Sequence, residues 1–171
     1  MARVYISCGS NIEPQKHLLK GLQDLEETVG KLCLSPVYES TAVGFQGDNF
    51  LNLVVAFDTE LDILAVDQLL ENIEKQNGRQ KSNVRFSSRN IDFDLLLYDD
   101  LIYHNESLEI PRPEIYQNAF VLRPLADIAP DVLDPLSQQS FAILWQQFSD
   151  PSQKLWLHDT RNWLEQSLSL G

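Results

Sequence analysis

Two periodicities alternate along residues 3–98, and their order restricts the fold of this 171-residue chain more than any other feature. Short apolar segments, typical of strands, occur at 3–8, 32–39, 50–59 and 90–98. Between them, apolar residues recur at helical spacing after Pro14 and again from about Asp62. The order β-α-β-β-α-β predicts an α+β fold with a ferredoxin-like core, an antiparallel sheet flanked by helices.

Two further features refine this fold. Pro36 interrupts the second apolar segment, which predicts an edge or bulged strand there. After residue 105 the pattern weakens into a proline-broken loop and a short helical piece, and the three tryptophans of the last third are expected to pack helical segments onto the core. No linker separates these residues from the rest, so we expect one domain, 1–171, with a C-terminal helical extension.

Composition excludes several classes of protein. The formal net charge of −12 opposes binding to a nucleic-acid backbone. No apolar run reaches the roughly 18 residues of a membrane span, and the N-terminus has no apolar leader segment. Cys8 and Cys33 belong to no close Cys/His cluster, so neither a disulfide framework nor a zinc site is predicted. We expect a soluble cytoplasmic protein.

Basic residues are concentrated in one segment of this acidic chain. Five of the 13 lysines and arginines fall within residues 75–89, which contain no acidic residue, and Asp92 and Asp94 follow at once. A solvated charged loop would explain the segment alone. The abrupt change from positive to negative charge along the chain favours instead a site for a highly charged anion beside an acidic pair.

The acidic pair itself predicts a cation site. Asp92 and Asp94 are two residues apart on a predicted strand, so their carboxylates project from one face while Ile91, Phe93 and Leu95 face the core. Both could simply face solvent at a strand end. With basic residues upstream, oxygen-only ligands favour Mg²⁺ holding a nucleoside triphosphate. Neither a P-loop nor a dinucleotide-binding glycine motif is present, so side chains and metal would have to hold the nucleotide.

Asn52 interrupts the apolar segment FLNLVVAF, where a buried amide needs hydrogen-bond partners. It could be a satisfied structural residue. Phe50 has the same strand parity, so the two together predict a surface for a flat heteroaromatic ligand, and Phe120 could supply the opposite plate.

Several ordered segments of the sequence resemble one family. They are YISCGSN near the start, YES-TAVG, FLN at 50–52, IEKQNGR at 73–79, RFSSRNIDFDLLLY at 85–98 and AFVLRPLADIAPD at 119–131. Through these segments the chain resembles the 6-hydroxymethyl-7,8-dihydropterin pyrophosphokinases of folate synthesis over roughly residues 3–130.

The resemblance implies an ATP-dependent pyrophosphokinase. Such an enzyme transfers pyrophosphate from ATP to the hydroxymethyl arm of the pterin by direct attack on the β-phosphorus and releases AMP. Asp92 and Asp94 would hold two Mg²⁺ ions, and the implied catalytic residues are Arg79, Arg89, Asp92 and Asp94. The implied ATP-binding residues are Glu74, Lys81, Arg85, Phe86, Leu95 and Arg112.

For the pterin, the resemblance implies stacking between Phe50 and Phe120. Asn52 would recognise the amide-like edge of the ring, helped by Ser40 and the backbone near Val43. The expected partners are therefore the two small molecules, pterin and ATP, bound by a monomer.

The chain departs from the family pattern at four places, one of which is the TAVG segment, where the paired prolines of some members are missing. Residues 87–89 read Ser-Ser-Arg where Gly-Pro-Arg is usual, Arg112 stands where a histidine is usual, and Asn118 stands where an arginine is usual. Two alternatives therefore stay open. One is a diverged paralogue that binds pterin with weak or no kinase activity, and the other is a ferredoxin-like interaction module without a small-molecule site.

Overall fold

The computed structural model describes residues 1–41, 48–78 and 90–168 of the chain. Within them the elements follow in the order β1 (Ala2–Ser10), α1 (Pro14–Val29), β2 (Cys33–Leu34), β3 (Tyr38–Ser40), β4 (Phe50–Thr59), α2 (Ile63–Gln76), β5 (Asp92–Tyr98), β6 (Tyr103–His104), β7 (Glu109–Ile110), α3 (Glu114–Gln117), α4 (Ala119–Ile128), α5 (Phe141–Gln147) and β8 (Leu155–Leu157).

The main sheet is antiparallel, with strands in the order β5-β1-β4-β3-β8, and β2 also pairs with β4. β1 thus lies between β4, which precedes α2, and β5, which follows α2. β4 pairs on its other side with β2 and β3, which follow α1, and this is the strand order of a βαββαβ core. The predicted ferredoxin-like α+β fold is confirmed. β6 and β7 form a separate two-stranded ribbon.

Local sequence signals account for the ends of the two long helices. Pro14 occupies the first turn of α1, and the N–H of Gly30, at φ 86°, donates to Glu26 O at 2.9 Å to end it. The side chain of Asp62 accepts a hydrogen bond from Ala65 N at 2.8 Å and thereby caps α2.

The second apolar segment, predicted to form an edge or bulged strand, is divided around Pro36 into β2 and β3, and β3 is not an edge strand because it pairs with both β4 and β8. Between β2 and β3, Ser35 keeps the sheet paired, because its Oγ accepts from Val54 N at 2.8 Å and its own N–H donates to Val54 O at 2.9 Å. The buried edge of β4 is therefore satisfied where the strand opposite is interrupted.

Helices cover both faces of the sheet. α1 and α2 pack on one face over a large apolar cluster that includes Ile6, Leu22, Leu53, Phe93 and Leu95. α3, α4 and α5 cover the other face over a smaller cluster that includes Tyr5, Val54, Leu96, Leu122 and Phe141. The second face carries the polar residues described in the next section.

The C-terminal third differs in part from the sequence-based expectation. Trp145 and Trp163 pack against the two clusters as expected. Trp156, expected in a helical segment, lies instead in β8, because β8 adds to the open edge of β3. Among the helices that the structure describes, none is both long enough and apolar enough to span a membrane.

Candidate active site

A row of four residues crosses the sheet on the face covered by α4. Asp92 pairs with Gly9, Gly9 pairs with Asn52 on its other side, and Asn52 pairs with Tyr38. Residues directly opposite one another in an antiparallel sheet share a face. With neighbouring strands about 4.8 Å apart, Asp92 and Asn52 are roughly 10 Å apart along this row.

The acidic pair stands at one end of the row. Asp92 and Asp94 are both half-buried, and they alternate with Phe93 and Leu95, which are buried against α1 and α2. Because strand residues alternate between faces, both carboxylates point away from that core. Asp94 pairs with Ser7 in the same register, so the pair occupies two successive rows.

Asn52 is buried and held in a fixed orientation. Its Nδ2 donates to Ser40 Oγ at 3.1 Å, and Ser40 is itself 6% exposed. Its Oδ1 lies over Gly9, so closely that a Cβ at Gly9 would stand 2.7 Å from it. The side-chain amide therefore occupies space that only glycine leaves open.

The two aromatic residues predicted beside Asn52 are on the same side of the sheet as the row. Phe50 is two residues before Asn52 on β4 and pairs with Ser40, so it has the same face. Phe120 is in the first turn of α4 and packs partly buried against the apolar cluster on that face. Both rings therefore border the side of the sheet on which the row lies.

Arg112 connects the acidic pair to α3. Its Nη2 is 3.2 Å from Asp94 Oδ1, and its Nε is 2.9 Å from Glu114 Oε2 in an ion pair without hydrogen-bond geometry. Burial lowers the pKa of Arg112, but the carboxylates of Asp94, Glu114, Asp92 and Asp67 outweigh it and raise the pKa above its usual value. The guanidinium is charged and lies in a strongly negative environment.

Glu74 supports the acidic pair from the opposite face. Its side chain, on α2, is 3% exposed, and its Oε2 accepts a hydrogen bond from Phe93 N at 3.0 Å. This contact fixes the backbone between Asp92 and Asp94. The Leu95 side chain is fully buried, which leaves only its main chain for contact with a ligand.

The nearby thiol is not a nucleophile. Burial raises the pKa of Cys8 well above its usual value, and the negative charges of Asp94, Asp92 and Glu74 raise it further. A thiol in this state stays protonated at neutral pH. Cys8 also lies in the apolar cluster under α1 and α2, on the opposite face of the sheet from the row.

The donor set at the acidic pair fits Mg²⁺. Within the described residues, no group of three or more His, Cys, Asp or Glu side chains could enclose a metal ion. Mg²⁺ is commonly bound by one or two carboxylates together with substrate phosphates and water, rather than by a full protein cage. The two carboxylates of Asp92 and Asp94 match the protein's share of such an arrangement.

Six of the site residues predicted from the sequence lie outside the described residues. They are Val43, Arg79, Lys81, Arg85, Phe86 and Arg89.

The structure adds residues that the sequence did not single out. Gly9 is one, and a glycine inside an apolar strand is a signal of close approach that could have identified it. Tyr38 is another: its hydroxyl donates to Asp127 Oδ2 and accepts from Arg123 Nε at 3.1 Å. Burial raises the pKa of Tyr38, and the Asp127 carboxylate raises it further. This contact fixes the end of the row to α4.

Curated relatives match most of the chain. The 2-amino-4-hydroxy-6-hydroxymethyldihydropteridine pyrophosphokinase of Aquifex aeolicus is 36% identical over 138 residues, covering 80% of this chain and 86% of its own. The protein of the same name from Porphyromonas gingivalis is 41% identical, covering 76% and 92%.

Solved structures share the fold. An HPPK-DHPS in complex with substrates superposes with a TM-score of 0.69 at 14% identity, covering 85% of this chain and 43% of that one. Wild-type Plasmodium falciparum HPPK-DHPS gives a TM-score of 0.65 at 14% identity, with 85% and 44% covered. The chain thus spans less than half the length of these solved proteins.

Fold and site together define a ferredoxin-like α+β domain with an acidic pair and a fixed amide on one sheet face. The family model described as 7,8-dihydro-6-hydroxymethylpterin-pyrophosphokinase (HPPK) matches residues 5–130. The chain belongs to the HPPK family. The diverged paralogue with weak or no kinase activity and the interaction module find no support in these comparisons.

Proposed function

We propose that this chain transfers the pyrophosphoryl group of ATP to the hydroxymethyl group of 6-hydroxymethyl-7,8-dihydropterin, releasing AMP, in tetrahydrofolate synthesis. Membership of the HPPK family supports this activity. The observation that carries it is the row that joins Asp92 to Asn52, since it brings a carboxylate that could hold a cation and a fixed amide onto one face, at a spacing that would suit two adjacent substrates.

The pterin is proposed to bind at the Asn52 end. The amide, held by Ser40, offers its hydrogen-bonding groups to the edge of the ring, while Phe50 and Phe120 stack on its faces. The backbone near Val43 would complete the recognition. A buried site that pairs with the polar edge of its ligand discriminates strongly against analogues that lack those groups.

ATP is proposed to bind at the Asp92 end. Two Mg²⁺ ions held by Asp92 and Asp94 would neutralise charge on the triphosphate. Arg79 and Arg89 would act in catalysis, and the remaining proposed nucleotide contacts are Glu74, Lys81, Arg85, Phe86, Leu95 and Arg112. For Glu74 we favour a supporting role, because its carboxylate accepts from Phe93 N.

The reaction is a single in-line displacement. The hydroxymethyl oxygen forms a bond to the β-phosphorus, the bond from that phosphorus to the α,β-bridging oxygen breaks, and AMP leaves with the bridging oxygen. The hydroxyl proton passes to solvent. The residues of the row hold the two substrates in line, and such orientation accounts for several kcal/mol of a barrier of this kind.

We further propose a cytoplasmic monomer. Cys8 and Cys33 are free thiols, as is usual in a reducing compartment. The row that joins the two proposed subsites comes from a single chain, so a second copy is not needed to complete it. The net charge of −12 argues against a nucleic-acid partner.

Product formation with and without pterin tests the activity. In ³¹P NMR, ATP, Mg²⁺ and hydroxymethyldihydropterin should give AMP and a pyrophosphate ester in equal amounts, with neither formed when pterin is omitted. Asp92→Asn should lower kcat/KM by about 10³ or more, because the site loses charge needed in the transition state. AMP formation that does not depend on pterin, or an Asp92→Asn protein of wild-type rate, would contradict the proposal.

A further inference from the structure

Arg112 is the one residue whose side chain joins Asp94 to a second carboxylate in the part of the chain that the structure describes. Its guanidinium is 3.2 Å from Asp94 and 2.9 Å from Glu114. Its backbone N–H donates to Leu96 O at 3.1 Å, which fixes its Cα beside β5, two residues from Asp94. The guanidinium therefore occupies the side of Asp94 that faces α3.

We propose that Arg112 is an exchangeable counter-ion of Asp94. It pairs with this carboxylate while nucleotide is absent, and it pairs with the phosphates instead when Mg²⁺ and ATP bind together. This inference rests on the proposed function, because it assigns Asp94 to the metal and the neighbouring space to ATP.

The accessibility of the pair allows the exchange. The Arg112 and Asp94 side chains are 29% and 33% exposed, so the contact is within reach of water. Water and salt partly screen an ion pair at this depth, so its separation costs less than that of a fully buried pair. Separating the two groups therefore requires no disruption of the core, and a phosphate offers the guanidinium a bidentate partner of higher charge.

Glu114 keeps the guanidinium at the site during the exchange. Its ion pair with Nε leaves the Nη groups to face either Asp94 or an incoming anion. Among the described residues, the carboxylates of Asp94, Glu114, Asp92 and Asp67 all act on Arg112. With so much negative charge nearby, the site still favours cations after Arg112 has moved toward phosphate.

One consequence is that metal and nucleotide bind cooperatively. Metal alone must compete with Arg112 for Asp94, and nucleotide alone must draw Arg112 away from it. Either ligand removes the cost of binding for the other, so each raises the affinity of the other by the same factor.

Mn²⁺ binding measured by electron paramagnetic resonance tests the exchange directly, without turnover. Titrations are made with wild type and with Arg112→Gln, each with and without α,β-methylene-ATP. We expect Arg112→Gln to bind Mn²⁺ about tenfold more tightly without nucleotide, and the enhancement of Mn²⁺ affinity by the nucleotide analogue to fall by a similar factor. Arg112→Lys, which keeps the charge, should retain most of that enhancement.

Arg161→Gln is the matched control for overall charge. Arg161 is an exposed arginine paired with Asp159, and it follows β8, which lies at the opposite edge of the main sheet from β5 and the acidic pair. It should leave both Mn²⁺ affinities within about twofold of wild type, because exposed charges beyond a Debye length are screened. Circular dichroism melts establish that each variant is folded.

Three results would overturn the exchange. They are unchanged Mn²⁺ affinity in Arg112→Gln, an equal increase with and without nucleotide (a fixed charge), or no Mn²⁺ binding by wild type. A separate assay of AMP release by the wild-type protein with pterin distinguishes failure of the exchange from failure of the proposed function. An active enzyme with unaltered coupling refutes only the exchange, whereas coupled binding without AMP release refutes only the pyrophosphokinase activity.

Discussion

Gly9 lies directly beneath the side-chain amide of Asn52, and a Cβ at Gly9 would stand 2.7 Å from Asn52 Oδ1. The two residues are paired in the β1–β4 register, and Asn52 is held from its other side by Ser40. The amide therefore cannot move away from an added methyl group without losing its hydrogen bond. A glycine in the sheet thus determines where the proposed pterin-recognition group lies.

Gly9→Ala should displace Asn52. We expect a loss of about 1–3 kcal/mol in the free energy of unfolding, as for overpacking in a core. The KM for pterin should rise about tenfold while the KM for ATP changes little, because the acidic pair lies two strands away from Asn52. Urea unfolding and steady-state kinetics measure these effects.

A double-mutant cycle with Asn52→Ala provides the control. In the Asn52→Ala background the added methyl group meets no amide oxygen, so Gly9→Ala should cost clearly less stability than in wild type. Equal costs in both backgrounds would show that Asn52 is not the group in contact.

Glu74→Ala should weaken the site from the opposite face of the sheet. The buried carboxylate accepts from Phe93 N, and leaving that N–H unpaired costs about 1–3 kcal/mol of stability. Because Phe93 lies between the two aspartates, kcat should fall as well. Glu74→Gln keeps an acceptor and should recover most of both losses. A Gln variant no better than Ala would show that the charge, and not the hydrogen bond, is what matters.

The Tyr116–Asp134 contact predicts a dependence of stability on alkaline pH. The Tyr116 hydroxyl donates to Asp134 Oδ1 at 2.6 Å; burial and this hydrogen bond raise the pKa of Tyr116 above its usual value of 10.0. A raised pKa in the folded state means that the stabilisation is complete below pH 10 and is lost as pH rises beyond it.

Tyr116→Phe isolates this contribution. At pH 8 the free energy of unfolding of the variant should be about 2 kcal/mol lower than that of wild type, which is within the usual range for a hydrogen bond to a charged group. The difference should narrow progressively above pH 10, and other tyrosines cancel in the comparison. A difference that stays constant from pH 8 to pH 11 would contradict this account.

The pairing of β8 with β3 predicts that the C-terminal segment supports the pterin end. His158 N donates to Val37 O at 2.9 Å, and N–H groups two residues apart on a strand point the same way, so the N–H of Trp156 also faces β3. Trp156→Pro should remove that donor and raise the KM for pterin several-fold, because β3 carries Ser40.

Trp156→Thr is the matched control for the proline variant. The side chain is 42% exposed, so threonine should preserve the strand and the kinetics. If both variants raise KM equally, the tryptophan ring rather than the strand is responsible.

Much of the fold follows from the sequence because it depends on local patterns. Apolar periodicity predicts the order of strands and helices, and the spacing of Asp92 and Asp94 predicts that they share a face. Asn52 and Phe50 are brought to one face by the same alternation. Each of these inferences requires only the identities of residues that are close together in the sequence.

The remaining contacts depend on register and on long connections. The approach of Gly9 to Asn52 exists only because β1 and β4 pair in one register. The contact between Asp94 and Arg112 depends on the path of the intervening ribbon, β6–β7. The segment Leu155–Leu157 is too short for its periodicity to distinguish a strand from a helix.

Substitutions in the two apolar clusters on opposite faces of the sheet should have different effects on the protein. Substitutions among the side chains beneath α1 and α2 change the stability of the fold, and they affect the proposed site only through the sheet. Substitutions beneath α4 also shift the side of the sheet that carries the proposed site. Natural variants that differ in substrate preference but not in robustness should therefore differ mainly on the α4 side.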